Sequence, residues 1–216
     1  MVVVLVFIIT MGVLVAVFKD DGNGGNGGNG SPPPTTPVNR SLSEYRNEAK
    51  KFVDGKDSNF RLNTLEMGEF SGEEIDGKYT SVFITDGIKA REQDATGFNA
   101  YYEKQSNGKW MQYMLTADNE WVVWEISDNP NGWMMEGLAG LLDTGLWDKS
   151  SSGKDVYTLK TQFAYDYVSI SDGTITVEGN KATITYTATA FGVDFNDSME
   201  LIIGGQTVSI PDEAKA

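Results

Sequence analysis

Turn signals recur at nearly constant spacing through the middle of the chain. The pairs Asp76-Gly77, Asp86-Gly87, Thr96-Gly97, Asn107-Gly108 and Asp118-Asn119 stand ten or eleven residues apart. This spacing is typical of consecutive β-hairpins. The segments that separate or follow them are rich in aromatic and β-branched residues, which favour strands: KYTSVFIT, IKAREQ, FNAYYEKQ, KWMQYMLT and EWVVWEIS. The pattern predicts an antiparallel meander, with FRLNTLEM as a further strand before it.

Strand patterns resume near the C-terminus. VYTLKTQFAYDYVSI has strand composition, and GTITVEGNKATITYTATA is the cleanest hairpin in the chain. Its Gly179-Asn180 turn suits type II′, because Gly comes first. FNDSMELIIGGQTVSIP is predicted to form a last pair of strands that ends at Pro211.

A helix is predicted at the start of the domain, in SLSEYRNEAKKFVDG. Ser41 and Glu44 fit a capping box, the apolar residues that follow share one helical face, and Gly55 supplies a stop.

The segment NPNGWMMEGLAGLLDTGLW lacks the alternation of a strand. We expect a short helix from Trp133 to Leu142, with Gly145 ending it. Gly137 and Gly140 each cost about 1 kcal/mol relative to Ala inside a helix, so a mobile flap is equally compatible. The predicted fold class is α+β: one large, curved antiparallel β-sheet, a half-barrel-like meander, with an N-terminal helix and a helical insertion.

Several predicted strands are apolar on both faces. In KWMQYMLT, Trp110 and Met114 point to one face and Tyr113 to the other, and in EWVVWEI Trp121 opposes Trp124. A strand exposed on one side would alternate apolar and polar residues. Both faces of the sheet therefore need cover. We expect the N-terminal helix on one face, and the 133–142 segment, the curl of the sheet or a ligand on the other.

All five Trp residues lie between Trp110 and Trp147. The simplest interpretation is that they form ordinary core. The functional alternative is a concave apolar cavity closed by a lid rich in Met and Trp, because Met adapts to varied apolar ligands. The candidate cavity residues are Trp110, Met114, Trp121, Trp124, Trp133, Met134 and Leu138.

The N-terminal run Met1–Phe18 contains no charged residue, and a helix of that length approaches the thickness of a bilayer core. The Gly/Asn-rich and Pro/Thr-rich sequence after it is typical of a linker. The predicted organisation is a transmembrane anchor at 1–19, a linker at 20–40 and an extracytoplasmic α+β domain at 41–216.

A cleaved signal peptide is the competing interpretation of this run. It would need a basic start and small residues before the cut, but no Lys or Arg precedes Lys19, and Ala16 stands alone between two Val residues. We therefore predict an uncleaved, single-pass anchor in the cell membrane, with the acidic C-terminal domain outside the cytoplasm.

The composition excludes several functions. A net charge of −14 disfavours nucleic acid and anionic membrane surfaces as partners. Without Cys or His, the chain has no disulfide, thiolate nucleophile, Ser-His-Asp triad or ordinary zinc site. DFNDSME mimics the start of a calcium loop but lacks the required Gly. We predict no cofactor, no metal site and no catalytic residues, and an enzyme is not expected.

The order of elements resembles a known family. SLSEYRNEAKKF, FNAYYEKQSNGKWMQYML, the insertion GWMMEGLAGLL and the closing GGQTVSIP together resemble the periplasmic lipoprotein-carrier fold. They are also similar to the lipid-transport lipoproteins of mycobacteria. The resemblance implies that the hollow of a half-barrel holds acyl chains. The lipoprotein members carry a lipid-modified Cys, which this chain lacks, and an uncleaved anchor favours a stationary holder or sensor over a soluble shuttle.

Two functions follow as hypotheses. The first is a membrane-anchored domain that binds an apolar or lipid-like ligand in a sheet-lined cavity. The alternative is a structural or protein-interaction module of the cell surface that has no small-molecule ligand.

Overall fold

The computed structural model describes residues 40–66, 72–116, 118–151, 155–166 and 168–215. The predicted anchor and all but the last residue of the predicted linker lie outside these residues. The described chain is α+β, as predicted, with one large open antiparallel sheet of twelve strands and two α-helices.

The elements divide into an outgoing half and a return half. The outgoing half contains α1 (Leu42–Val53), β1 (Phe60–Glu66), β2 (Ser81–Thr85), β3 (Lys89–Asp94), β4 (Asn99–Lys104), β5 (Trp110–Leu115) and β6 (Trp121–Ile126). The return half contains α2 (Gly132–Leu141), β7 (Trp147–Lys149), β8 (Val156–Leu159), β9 (Phe163–Tyr165), β10 (Val168–Glu178), β11 (Lys181–Ala190) and β12 (Val193–Ile203). Short 3-10 helices cover Thr144–Leu146 and Asp212–Lys215.

The sheet order is β6-β5-β4-β3-β2-β1-β12-β11-β10-β8-β7, and β9 pairs with β10 beside this path. The chain therefore runs outward from β1 to β6, continues through α2 to the opposite edge, and returns strand by strand to β12. β12 pairs with β1 from Phe60 opposite Ile203 to Glu66 opposite Asp197. This pairing joins the two halves into one sheet.

The predicted turns of the outgoing half are confirmed by the backbone. Gly87, Gly97 and Gly108 have φ angles of +103°, +97° and +84°, and Asn119 has +61°. Left-handed φ angles suit Gly and Asn, so these residues specify the hairpins locally. In the return half, Gly179 (φ +64°) lies in the predicted two-residue turn between β10 and β11.

The predicted N-terminal helix is confirmed as α1. The Ser41 backbone N–H donates to the Glu44 carboxylate at 2.7 Å, which is the return contact of a capping box. Leu42, Tyr45 and Phe52 are buried along one face of α1. That face packs onto the sheet, where Phe52 meets Phe60 edge to face at 5.6 Å.

The insertion is also helical, but α2 ends at Leu141, and Gly145 lies in the separate 3-10 helix that follows. Gly137 and Gly140 are compatible with the helix because aromatic rings pack against them. A Cβ at Gly137 would lie 3.2 Å from the Tyr165 ring, and one at Gly140 would lie 3.1 Å from the Phe163 ring.

The prediction that both faces of the outgoing half need cover is confirmed, but the expected cover for the second face was wrong. α1 and α2 contribute to one core cluster on the same side of the sheet. The second face is covered by the C-terminal segment, where Val208, Ile210 and Ala214 pack with Tyr101 and Tyr113.

The prediction of a final strand pair is therefore wrong. FNDSMELII belongs to the single long strand β12, and the sequence from Gly205 to Pro211 forms no strand. Gly204 and Gly205 take φ angles of +78° and +75°, which end β12 and turn the chain toward the second face. β7 was not predicted. Among the described residues, neither helix is long and apolar enough to cross a membrane.

Candidate functional site

An apolar hollow lies between α2 and the return half of the sheet. Its volume is about 90 Å³. α2 forms one wall, and β9 to β12 form the others. The lining residues are Trp133, Met134, Gly137, Leu138, Leu141, Phe163, Tyr165, Val168, Ile170, Tyr186, Ala188, Ala190, Phe195 and Met199.

Small side chains on β11 leave this space open. Ala188 and Ala190 point toward α2 in the row that continues through Tyr186, because every second residue of a strand shares a face. Both Ala residues are buried. Because a methyl side chain extends only a short distance from the sheet, Ala188 and Ala190 do not fill the space between β11 and α2.

β9 closes one side of the hollow. It is only three residues long and pairs with the start of β10, with Phe163 opposite Ile170 and Tyr165 opposite Val168. Its two rings lie against Gly137 and Gly140 of α2. A side chain at either glycine would push the rings away, so the glycines permit the close contact between β9 and α2.

Trp133 and Tyr165 form the rim. Their ring centroids lie 5.3 Å apart, and Trp133 is 38% exposed. The Tyr165 hydroxyl donates to the Glu136 carboxylate at 3.1 Å. Partial burial, together with this hydrogen bond, raises the pKa of Tyr165, so the phenol stays neutral at physiological pH. The rim is amphipathic, while the interior of the hollow is apolar.

Three of the seven residues nominated from sequence line this hollow: Trp133, Met134 and Leu138. Trp110 lies instead in the core of the outgoing half, where it is 2% exposed. Its indole N–H donates to Asn129 Oδ1 at 2.9 Å, and its ring lies 6.2 Å from that of Phe52. Trp110 therefore packs between α1 and the sheet.

The other three nominated residues also lie outside the hollow. Trp121 faces the second side of the sheet, 6.0 Å from the Tyr101 ring. Met114 and Trp124 are half-buried on β5 and β6, the outer strands of the outgoing half. The five Trp residues lie close together in the sequence, but the topology divides them between the two halves of the sheet.

Most of the lining was missed from sequence. Strands are predicted in VYTLKTQFAYDYVSI, which contains Phe163 and Tyr165, and a hairpin arm is predicted at β11, but neither is predicted to line a site. One available signal is the alternation in KATITYTATA, where the buried positions change from the large Ile184 and Tyr186 in the middle of the strand to Ala188 and Ala190 at its end.

A buried carboxyl group lies in the outgoing half, away from the hollow. Glu92 on β3 is 4% exposed and accepts a hydrogen bond of 2.8 Å from the Tyr102 hydroxyl. Burial raises the pKa of Glu92, and the nearby Asp94 acts in the same direction. Burial and the adjacent Glu92 carboxyl also raise the pKa of Tyr102. The pair is a candidate for pH-dependent stability.

The acidic residues of β12 are engaged separately. Asp194 accepts from Thr189 at 2.6 Å, while Glu200 accepts from Tyr79 at 2.5 Å and forms an ion pair with Lys78. The hydrogen bonds from Tyr79 and Lys78 lower the pKa of Glu200 against the opposing effect of burial. Within the described parts of the chain, no group of three or more acidic side chains is arranged to hold a metal ion.

Comparisons with protein-family models, with curated proteins and with solved structures found no match to this chain. The geometry of the hollow and its surroundings is therefore the basis for assigning a function to this chain.

Proposed function

We propose that this protein binds an apolar or lipid-like ligand in the hollow between α2 and β9 to β12. The observation that carries the proposal is the lining itself, which is almost entirely hydrocarbon and aromatic ring. Apolar pockets with few polar groups are the usual form of sites for such ligands. At the rim, the Tyr165 hydroxyl meets the Glu136 carboxylate.

Because the hollow is small, we expect it to hold only part of a ligand molecule. A cavity of about 90 Å³ holds a short stretch of an acyl chain or one ring. Binding a longer chain would require β9 to move away from α2. β9 is suited to this because it pairs along only three residues, and its rings contact α2 at glycines.

In this proposal the domain is extracytoplasmic and is held at the cell membrane by the apolar run Met1–Phe18. The open antiparallel sheet acts as a half-barrel whose hollow half receives the ligand. Absence of His and Cys, together with the apolar lining, favours binding over catalysis.

Filling the hollow tests the proposal. The full chain, purified in detergent, is titrated with a fluorescent fatty acid, with the total Trp emission, to which Trp133 at the rim contributes, as a second readout. Ala188→Leu places an isobutyl group in the space, so we expect at least a tenfold loss of affinity. Retention of wild-type affinity in this variant would refute the site.

Met114→Leu is the matched control. Met114 was also nominated from sequence but lies outside the hollow, and the exchange conserves volume. We expect unchanged affinity. Native mass spectrometry of the chain purified from its own membrane provides an independent check, since a bound apolar molecule should be present in wild type and depleted in Ala188→Leu.

A specific observation also favours the second candidate, a protein-interaction module. β6 pairs only with β5 among the described strands, so one of its edges offers unpaired backbone groups. Val122 and Val123 on it are 40% and 43% exposed. A protein that adds a strand here should be lost from the purified complex in Val123→Lys and retained in Ala188→Leu.

A further inference from the structure

Three exposed apolar residues gather at the end of the return half where the hollow opens. They are Trp133, Phe191 and Val193, hereafter the mouth patch, and they are 38%, 70% and 45% exposed. The sheet register links them. Tyr165 beside Trp133 pairs with Val168, and Val168 pairs with Ala190, which directly precedes Phe191.

Phe191 occupies a position that favours other residues. It is the first residue of the two-residue turn between β11 and β12, with φ +51°, and Gly192 follows at φ +76°. Two successive positive φ angles define a type I′ turn, for which Asn, Asp or Gly is preferred at the first position. A bulky residue is strained there. Among the described residues, the most exposed large apolar side chain thus lies at a site where a polar residue would fit better.

The charges around the mouth patch restrict what it can meet. Glu136, Asp166 and Asp194 flank it and are exposed. No Lys or Arg occurs between residues 161 and 180 or between 182 and 214. Arg46 and Lys50 of α1 are the two cations that line a groove with Glu136, and Arg46 is paired with Asp143. An anionic lipid surface would therefore be repelled, whereas a zwitterionic one would meet apolar residues without a charge penalty.

The tether predicted from sequence lets the patch reach a membrane. Arg40 lies beside Gly204, at the end of β12 opposite Phe191. β12 has 11 residues and spans about 36 Å. The predicted linker at residues 20–40 extends to about 70 Å when fully stretched. The linker is thus long enough for the mouth patch, and not only the tethered end, to contact the bilayer.

We infer that the mouth patch docks on a neutral, zwitterionic lipid surface, so that the hollow opens against the acyl chains from which its ligand comes. Phe191 and Val193 enter the interface while Trp133 remains at the boundary, a position that Trp favours. The inference rests on the proposed function for the identity of the ligand, but the docking is measured separately.

Two tryptophan substitutions test the docking. Phe191→Trp and Ile88→Trp each replace an exposed apolar residue, the second at the tethered end, where β2 turns into β3. The full chain is reconstituted into phosphatidylcholine vesicles with brominated acyl chains, and the quenching of the added emission is measured against wild type. We expect Trp at position 191 to be quenched at least twofold more than Trp at position 88.

The tether alone predicts the reverse order, because it holds the Ile88 end closer to the membrane. Equal quenching, or stronger quenching at position 88, overturns the docking and leaves a protein partner as the occupant of the patch. Replacing a third of the lipid with phosphatidylglycerol should weaken quenching at position 191. An increase would overturn the assignment to neutral lipid.

Fatty-acid titration in detergent separates this inference from the proposed function. Phe191→Asn removes the apolar group and suits the turn, and Phe191 does not line the hollow, so affinity in detergent should match wild type. Normal affinity without quenching at position 191 refutes the docking alone. Quenching without any fatty-acid binding refutes the proposed function alone.

Discussion

The two halves of the sheet solve the same packing problem differently. In the outgoing half, rings fill the space under α1: Phe52 lies 5.5 Å from Phe83, and Phe83 lies 5.9 Å from Phe60. In the return half, the corresponding space under α2 faces Ala188 and Ala190, and a hollow remains. One sheet therefore carries both a close-packed core and an apolar site.

The difference in packing between the two halves shows how an apolar binding site can form with few polar groups in its lining. Close packing is the default for a protein interior, and an unfilled space sacrifices dispersion contacts and burial. The hollow lies beside a well-filled region because small residues, Ala188 and Ala190, occupy β11 at this point. The close-packed outgoing half offsets the stability that the hollow loses.

The largest expected effect comes from opening the filled half. Phe83 is 1% exposed and contacts two other rings, so Phe83→Ala should destabilise the fold by about 3–5 kcal/mol through lost burial and a new cavity. Urea unfolding followed by circular dichroism measures this change.

Leu138→Ala is the counterpart in the hollow half. Leu138 is 3% exposed but already borders empty space, so its removal should cost about 2–3 kcal/mol, near the lower end of the range for such changes. If Leu138→Ala proved as costly as Phe83→Ala, the contrast between the halves would be lost.

Adding volume should produce a smaller effect, which differs between the halves. Ala100 on β4 is fully buried under the filled core, and Ala100→Leu should destabilise by about 1–3 kcal/mol through overpacking. Ala188→Leu adds the same atoms to the hollow and should change the free energy of unfolding by less than about 1 kcal/mol. Equal losses in the two variants would show that the hollow does not accept a side chain.

Much of the fold could be predicted from sequence because its signals are local. The outgoing strands are bounded by Gly and Asn residues that take left-handed φ angles, and α1 begins at a capping box. The C-terminal segment could not be predicted in this way. Val208 and Ile210 alternate with polar residues as in a strand, but this segment pairs with no described strand and packs on the second face of the sheet. That face exists only once the sheet has assembled.

The candidate site was predicted less completely. Trp133, Met134 and Leu138 were found because they are large and clustered along the chain. The other walls come from β9 to β12, and their proximity to α2 depends on the return of the chain from the far edge of the sheet. The decisive residues are small, and Ala188 carries no signal of its own when read from sequence.

The buried Glu92 carboxyl of the outgoing half should make stability depend on pH. Glu92 is buried and its pKa is raised, so the native state retains its proton at pH values where the unfolded chain has released it. Stability then falls as pH rises above about 4.5, the ordinary value for Glu, until the native carboxyl ionises. Glu92→Gln removes this dependence while keeping an acceptor for Tyr102.

We therefore expect Glu92→Gln and wild type to have similar stability near pH 4, and the variant to become the more stable as pH rises. Urea unfolding across a pH series measures the divergence. A constant difference between the two proteins at all pH values would contradict a raised pKa at Glu92.

The smallest expected effect distinguishes the turns of the two halves. Asn119, between β5 and β6, has φ +61°, and Phe191, between β11 and β12, has φ +51°. Because Asn adopts this conformation more readily than a bulky residue, Phe191→Asn should stabilise the fold by about 0.5–1 kcal/mol, and Asn119→Phe should destabilise it by a similar amount. Thermal unfolding measures both changes. A destabilised Phe191→Asn variant would show that contacts of the Phe191 ring within the fold outweigh the strain of the turn.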